Sequence, residues 1–314
     1  MPRLSNRKLS VRVPSVLGSL YSFTSFTFTN ASITGANGPT LGNCLSSYDT
    51  ATYPWLNNTS YFNVVTQGIQ LWTVPVDGTY TILAKGARGG NSGGYPGYIQ
   101  GTFTLTQGSI IKIMVGQKGL TGTNGCGSGV GGGGGGTFVT DNSNNALIVA
   151  GGGGGKSAAA IDSSTHANSA GTSGNTGQDT GGAGGSGGNG GSTTTTQCVH
   201  GGGGGGGLTG NGTSSTGGSN GGISFTNGGV GGIAYNDYGG GSPVNGGFGG
   251  GAGTNTYMGG GGGGYSGGGG GGIGSCSCSL LGGGGGGGCY NGGTSQTNTT
   301  DTNDTDGYVT ITKV

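Results

Sequence analysis

Residues 259–272 read Gly-Gly-Gly-Gly-Gly-Gly-Tyr-Ser-Gly-Gly-Gly-Gly-Gly-Gly, so that two glycine runs flank Tyr265 and Ser266. Glycine brings no side chain to bury, and it loses more backbone entropy on folding than any other residue. Such runs fold only if their backbone groups supply the compensating interactions. Similar short runs recur along the chain, at 131–136, 151–155, 201–207 and 282–288.

Three kinds of structure are candidates for glycine runs in a chain of this composition: disorder, a collagen triple helix and a bundle of extended helices. Glycine supplies 91 of the 314 residues, charged residues make up 6%, and Glu is absent, which is typical of disordered low-complexity chains. Collagen is excluded, because the chain has no Gly-X-Y period and only 7 Pro. The third class is a bundle of extended threefold helices, which approach closely without Cβ atoms and form lateral backbone hydrogen bonds. We expect such a polyglycine-II bundle within residues 121–306.

Ordinary strand patterns lie outside the runs. Only six glycines occur in residues 1–85. Thr79-Tyr-Thr-Ile-Leu-Ala-Lys85 alternates between two faces, as a half-buried strand does. Further strands are predicted at Tyr21–Thr29, Gly68–Pro75, Tyr98–Thr106 and Ser109–Val115, and the last two read as a hairpin.

Strands return after the glycine begins. Thr137–Thr140 and Ala146–Ala150 flank a polar loop of hairpin length. Tyr308–Val314 is a closing strand, which has little reason to exist unless it rejoins a sheet. We therefore predict an all-β sandwich over residues 21–120, completed by strands near 137–150 and 307–314, with the glycine-rich insertion between them. Residues 1–20, which contain Arg3, Arg7, Lys8 and Arg12, are expected to form an extended basic anchoring arm.

The net charge and the hydropathy of the chain limit the classes of partner that it is expected to bind. The net charge of +1 gives no general attraction to nucleic acid. The sequence contains no run of 18 apolar residues, so we expect no insertion into a membrane. Residues 1–20 lack the continuous apolar stretch of a signal peptide. We expect an extracellular or virion-surface location.

A series of motifs points to a family. In chain order they are Gly38–Cys44, Gly68–Tyr80, Ala84–Gly90, Ile113–Gly119, Gly131–Phe138, Ala146–Gly152 and Gly259–Gly272. Together they resemble the membrane-proximal extracellular region of the anaplastic lymphoma kinase and leukocyte tyrosine kinase receptors. The resemblance implies a tumour-necrosis-factor-like, jelly-roll sandwich joined to a glycine-rich helical bundle, a unit that binds protein ligands in those receptors. The chain also resembles glycine-rich surface proteins of viruses and bacteria, including tail-fibre-tip adhesins.

Candidate chemistry is sparse. Ala150–Ser157 nearly fits a phosphate-binding loop, but it lacks the first Gly, a following helix and a metal-binding Asp. His166 and His200 are the only imidazoles, and neither lies in a pattern that suggests a nucleophile and its base. We therefore predict no catalytic residue, no cofactor and no enzymatic activity.

Cysteines and aspartates suggest weak alternatives. Cys198-Val-His200 and the group Cys276, Cys278 and Cys289 miss the usual zinc spacing. Disulfides are favoured over a metal site, with Cys276–Cys289 as the preferred pair, although the sequence does not fix the pairing. The aspartates in Asp301–Gly307 depart from the EF-hand pattern, and we favour a polar turn there.

Two kinds of residue are candidates for recognition or modification. Aromatic side chains among the glycines either plug the edges of the lattice or form a recognition surface, and they are Tyr235, Tyr238, Phe248, Tyr257, Tyr265 and Tyr290. Glycosylation sequons include Asn57 and Asn58, with others at Asn30, Asn211, Asn298 and Asn303.

The leading hypothesis is a non-enzymatic virion or surface structural protein, namely a fibre, adhesin or decoration subunit. Its partners would be itself or other structural subunits. The alternative is a secreted or cell-surface binding module for a protein or glycan ligand.

Overall fold

The computed structural model describes residues 18–125, 128–157, 162–194, 201–216, 218–236, 241–273 and 281–314. Across this part of the chain the fold is all-β, as the sequence predicts, with three antiparallel sheets. Among these described residues, helical structure is limited to α1 (Leu41–Ser47) and two 3₁₀ turns, Pro54–Asn57 and Phe225–Asn227.

The first sheet has five strands and alternates in burial along each inner strand. Apolar side chains face inward, and a largely Thr-rich face points outward. In spatial order the strands are β1 (Ser25–Phe28), β13 (Tyr308–Lys313), β4 (Gly78–Lys85), β5 (Gly97–Leu105) and β12 (Thr294–Thr300).

The second sheet has six strands and is buried on both faces. One face packs on the first sheet to form the main core, where Trp72, Ile113 and Ile148 meet Tyr80 and Ile82. The other face packs on side chains from the glycine-rich segment. In spatial order the strands are β11 (Tyr290–Asn291), β10 (Ala146–Ala150), β9 (Thr137–Asp141), β6 (Ile110–Met114), β3 (Ile69–Thr73) and β2 (Phe62–Asn63). The small third sheet pairs β7 (Thr121–Thr123) with β8 (Gly129–Gly131).

Two of the predicted connections can be compared with this topology. The hairpin predicted for Tyr98–Val115 is wrong, because β5 and β6 lie in different sheets. The turn between them crosses the sandwich, and Gly108, with a φ of +80°, donates its N–H to Val74 O rather than closing a two-strand ladder. The hairpin of β9 and β10 is confirmed.

The C-terminal strand closes the first sheet. β13 inserts between β1 and β4, so that Thr310 lies opposite both Thr27 and Leu83. The predicted return of the chain to a sheet after the glycine-rich segment is therefore confirmed. β12, which the sequence analysis missed, forms one edge of the same sheet through its pairing with β5.

Aromatic side chains fill one end of the sandwich. Phe28 is fully buried and packs edge-on against Phe26, with Phe62 and Trp72 within 6.4 Å of its ring centre. Offset and edge-to-face rings of this kind add to the free energy gained by burying their area. The N-terminal strand is thus fixed by its aromatic residues rather than by length.

We expect Phe28→Ala to lower the free energy of unfolding by about 3–5 kcal/mol, because it empties a fully buried ring site. The matched control is Val65→Ala, at a side chain that is 75% exposed, and its effect should stay within about 0.5 kcal/mol. Chemical denaturation monitored by Trp fluorescence measures both. Equal effects for the two variants would contradict the proposed core.

Candidate functional site

The glycine runs bond to one another with a three-residue period. Run 259–264 donates its N–H groups in turn to residues 282–285, 131–134 and 203–206, at N···O distances of 2.9–3.2 Å. A step of three along this run is matched by a step of three along each neighbour: Gly259 and Gly262 donate to Gly282 and Gly285. This is the period of an extended helix with three residues per turn and no internal hydrogen bonds.

The remaining runs continue the pattern in antiparallel and parallel directions. Run 267–272 donates to 259–262, 175–178 and 189–192, again every third residue. All residues of the runs 131–136, 151–155, 201–207, 259–264, 267–272 and 282–288 are buried. Buried backbone groups must be paired, and lateral bonds pair them here. We call this set of runs the glycine lattice.

The register of the second sheet passes into the glycine lattice without a break. Thr137 lies opposite Ala150 in the β9–β10 hairpin, and the runs beyond it continue as Gly134 bonded to Gly153. The pairings of β9 with β6 and of β10 with β11 extend in the same way. The sheet therefore fixes which glycine faces which.

Close approach of backbones makes glycine necessary in the lattice. A Cβ built on Gly262 would lie 2.3 Å from Gly152 O, and one on Gly135 would lie 1.7 Å from Phe248 O. The opposing atoms belong to backbone, which cannot rotate away as a side chain can. Each substitution must therefore shift two neighbouring segments of the backbone at once.

We expect Gly262→Ala to destabilise the protein by about 1–3 kcal/mol, the usual cost of overpacking a close-packed interior. Gly42→Ala is the control, because its Cβ would meet nothing closer than Thr40 Oγ1 at 3.8 Å and Ala favours its helix. Thermal unfolding compares the two variants. A Gly262→Ala protein that melts like the control would show that the run is not packed as described.

The glycine lattice also occupies the segment that resembles a phosphate loop. Consecutive N–H groups from Gly152 to Lys156 all donate to backbone carbonyls, among them Gly263 O and Ala87 O. A phosphate loop needs these groups free to bind oxyanions. The segment is a lattice strand instead.

The candidate aromatics occupy several different environments. Phe248 is only 1% exposed, and its ring covers Gly38 and Gly68 inside the second hydrophobic cluster, so its assignment to a recognition surface is wrong. Tyr265 and Tyr290 are half-buried and stacked, with ring centroids 4.9 Å apart. Tyr257 packs beside Met258, Tyr235 is 46% exposed, and Tyr238 lies outside the described residues.

The predicted disulfide between Cys276 and Cys289 is not found. Cys289 is a free, buried thiol that accepts a hydrogen bond from Gly151 N at 3.2 Å, and burial raises its pKa to about 12. Cys276, Cys278 and Cys198 lie outside the described residues, as does His200. Among the residues that are described, no group of three His, Cys, Asp or Glu could hold a metal ion.

The aspartates after β12 form ion pairs with lysine side chains and accept hydrogen bonds from N–H groups of the same chain. Asp301 forms a 2.7 Å ion pair with Lys85, whose side chain is 2% exposed, and Asp304 forms one of 2.7 Å with Lys118. Burial acts to raise the pKa of Asp301, but the hydrogen bond from Lys85 and its charge lower that pKa below the usual value. Asp306 accepts hydrogen bonds from Lys118 N and Asn30 Nδ2. The segment is a polar turn that fixes β13, as favoured from the sequence.

The two favoured sequons, Asn57 and Asn58, are exposed at the end of a 3₁₀ turn, and their glycosylation stays a prediction. Asn30 is 7% exposed and its amide is engaged by Ile33 O and Asp306, so a glycan there would break a buried contact.

Of the two histidines, His166 lies in the described part of the chain. It connects the loop that contains it to Tyr95, which precedes β5. Its Nδ1 accepts a hydrogen bond from Tyr95 N at 3.1 Å, and its ring packs at a tilt against the Tyr95 ring, 4.7 Å between centroids. The Arg88 guanidinium lies over the same tyrosine ring. Burial lowers the pKa of His166, Asp162 acts in the opposite direction, and Arg88 lowers it further. The neutral imidazole is therefore the form that the folded protein prefers.

The depressed pKa sets the sign of a pH effect. The stabilisation from His166 should be complete above its ordinary pKa of about 6.5 and be lost as the pH falls below it, because the unfolded chain then binds the proton more readily. His166→Asn, which keeps an acceptor but does not titrate, should flatten the free energy of unfolding between pH 7 and 5. His200→Asn is the matched control. A decline that disappears in the control and persists in His166→Asn would refute this assignment.

The described surface contains several cavities. One, of about 490 Å³, lies between the second sheet and Phe225 and is lined by Val65, Ile69, Leu71 and Lys112. Two others, of about 420 and 240 Å³, lie on either side of the loop 168–172. The sequence analysis predicted none of them. The linings of the 490 and 240 Å³ cavities combine segments far apart in the chain, whereas the lining of the 420 Å³ cavity comes from residues 163–176 alone.

Comparison of the chain with models of known protein families finds no match. The resemblance to the kinase-receptor region therefore stays an expectation. In the described part of the chain, no helix has the length and apolar character needed to cross a membrane.

Proposed function

We propose that the chain is a non-enzymatic surface structural protein, a fibre, adhesin or decoration subunit, in which a β-sandwich supports a rigid polyglycine-II bundle. The observation that carries this proposal is the three-residue hydrogen-bond repeat of the glycine lattice. Such a lattice is held mainly by hydrogen bonds between backbone groups, so its rigidity does not require charged side chains. Rigidity of this kind suits a body that projects from a surface.

One further feature, the scarcity of basic residues, supports exposure to a harsh exterior. Between residues 121 and 306, Lys156 is the only Lys or Arg, so proteases that cleave at basic residues have a single target there. On the basis of the motif resemblance, we assign the sandwich to the tumour-necrosis-factor-like, jelly-roll class. We also propose an extracellular or virion-surface location for the protein. Residues 1–20 would anchor the subunit to further copies of the same chain or to other structural subunits.

A binding module for a protein or glycan is the second candidate. The observation that favours it is the exposed Tyr235, whose ring lies beside Gly218 in the Ser-, Thr- and Asn-containing segment 213–220 and whose N–H donates to Thr254 O. These are the residue types of adaptable binding loops.

Electron cryomicroscopy of the source material and of the purified full chain tests the structural role. We expect the chain in regular arrays on a particle or filament surface. A variant with Arg3, Arg7, Lys8 and Arg12 changed to Gln should fold but fail to join the arrays, whereas Lys313→Gln, which removes a charge elsewhere, should join them. Source material in which the chain occurs only as isolated monomers would overturn the proposal.

A further inference from the structure

The smaller cavity beside the loop 168–172 has an unusual lining. It has a volume of about 240 Å³ and lies between β11, β12 and that loop. We call it the β11–β12 cavity. It is smaller than the roughly 300–1,000 Å³ pockets of drug-sized ligands, so it suits one ring-sized group.

The cavity has an apolar base and no charge. Ile99 and Cys289 are buried beneath it. The thiol of Cys289 is neutral near pH 7, because burial raises its pKa to about 12. No Asp, Glu, Lys, Arg or His is among the residues that line it, which also include Ser169, Thr172, Tyr290, Asn291, Gln296 and Asn298.

Three side-chain amides at the rim are held in place by one another. Asn291 Nδ2 donates to Gln100 O and to Asn298 Oδ1, both at 2.8 Å. Gln296 Nε2 donates to Asn291 O at 2.9 Å and to Gly293 O at 2.8 Å, and its Oε1 accepts from Asn298 Nδ2 at 3.3 Å. Although Gln296 and Asn298 are exposed, these hydrogen bonds favour one arrangement of the amides before any ligand arrives, which reduces the entropy lost on binding.

The same groups keep bonding capacity for a ligand. An amide nitrogen has two donors and an amide oxygen has two acceptor positions, so Asn298 Nδ2 and Gln296 Oε1 each use only part of theirs. Ser169 and Thr172, which each carry a hydroxyl, also line the cavity, and the half-buried Tyr290 adds an aromatic side chain.

We propose that the β11–β12 cavity binds a neutral saccharide ring. Sugar hydroxyls both donate and accept, as the amides and hydroxyls of the lining do. A charged ligand would lose its hydration without meeting a counter-charge, and an apolar ligand would leave the remaining donor and acceptor positions of the amides unused. This inference gives the second candidate function, a glycan-binding module, a specific site, and it does not depend on the structural role proposed first.

The neighbouring cavity indicates room for more than one sugar. It has a volume of about 420 Å³, shares Ser169 and Ala170 with the β11–β12 cavity, and is lined otherwise by uncharged residues such as Ser164, Asn168 and Asn175. An oligosaccharide that crosses the loop would contact both linings. Affinity should therefore rise with chain length.

The test uses the full chain from a bacterial host that adds no N-linked glycans, so that Asn298 stays unmodified. The probes are methyl glycosides of glucose, galactose, mannose and N-acetylglucosamine, the neutral oligosaccharides built from them, and sialyllactose as a charged comparison. Saturation-transfer NMR detects binding, and calorimetry measures affinity. We expect at least one neutral probe to bind and sialyllactose to bind no better than its neutral parent.

Variants locate the site. Gln296→Ala should weaken binding about 10-fold, the effect of losing one or two hydrogen bonds, and Ser169→Val should weaken it in the same direction. Thr299→Ala, on the same exposed strand but outside the cavity lining, should stay within about 2-fold of wild type. Unchanged thermal unfolding of all three shows that they fold.

Either of two results overturns the proposal: no neutral probe binds the wild-type chain, or Gln296→Ala and Ser169→Val bind as the wild type does. Neither result bears on the surface arrays, which imaging tests separately.

Discussion

The close approach of glycine Cα atoms to carbonyl oxygens of neighbouring glycine runs is the constraint on which the structure depends. A Cβ on most lattice glycines would meet backbone at about 2 Å, as it would on Gly262. Only that proximity lets buried N–H and C=O groups bond sideways in three directions. The lattice thereby offsets the large conformational entropy of glycine with hydrogen bonds and close packing instead of side-chain burial.

The sandwich solves a problem that the glycine lattice cannot solve alone. Identical residues have no preferred register, because sliding one run along another by three residues recreates the same bonds. The β9–β10 hairpin removes this freedom, since its pairing of Thr137 with Ala150 continues into the runs on both sides. Phe248 adds a second fixed point, because its ring fills the space over Gly68. Ordinary side chains thus determine the alignment, and glycine propagates it.

The sequence predicts some elements well for physical reasons. β4 and β13 alternate apolar and polar residues, and the β9–β10 loop has hairpin length, so these elements are where the pattern places them. The β5–β6 connection was predicted wrongly, because a short turn can join strands within a sheet or between sheets. β12 was missed, since Thr-Ser-Gln-Thr-Asn-Thr-Thr contains no apolar residue and is almost entirely exposed. The β11–β12 cavity could not be found from spacing, because its walls combine residues near 99, 170 and 296.

Hydrogen–deuterium exchange of the glycine amides tests the central claim most directly. Runs 259–264 and 282–288 donate from buried positions, so their amides should exchange as slowly as those of β4 and β13 in the first sheet. Protection that is lost together with that of the strands, as denaturant is added, would show one cooperative structure. Glycine amides that exchange at the rate of an unfolded peptide, while the strands stay protected, would contradict the lattice.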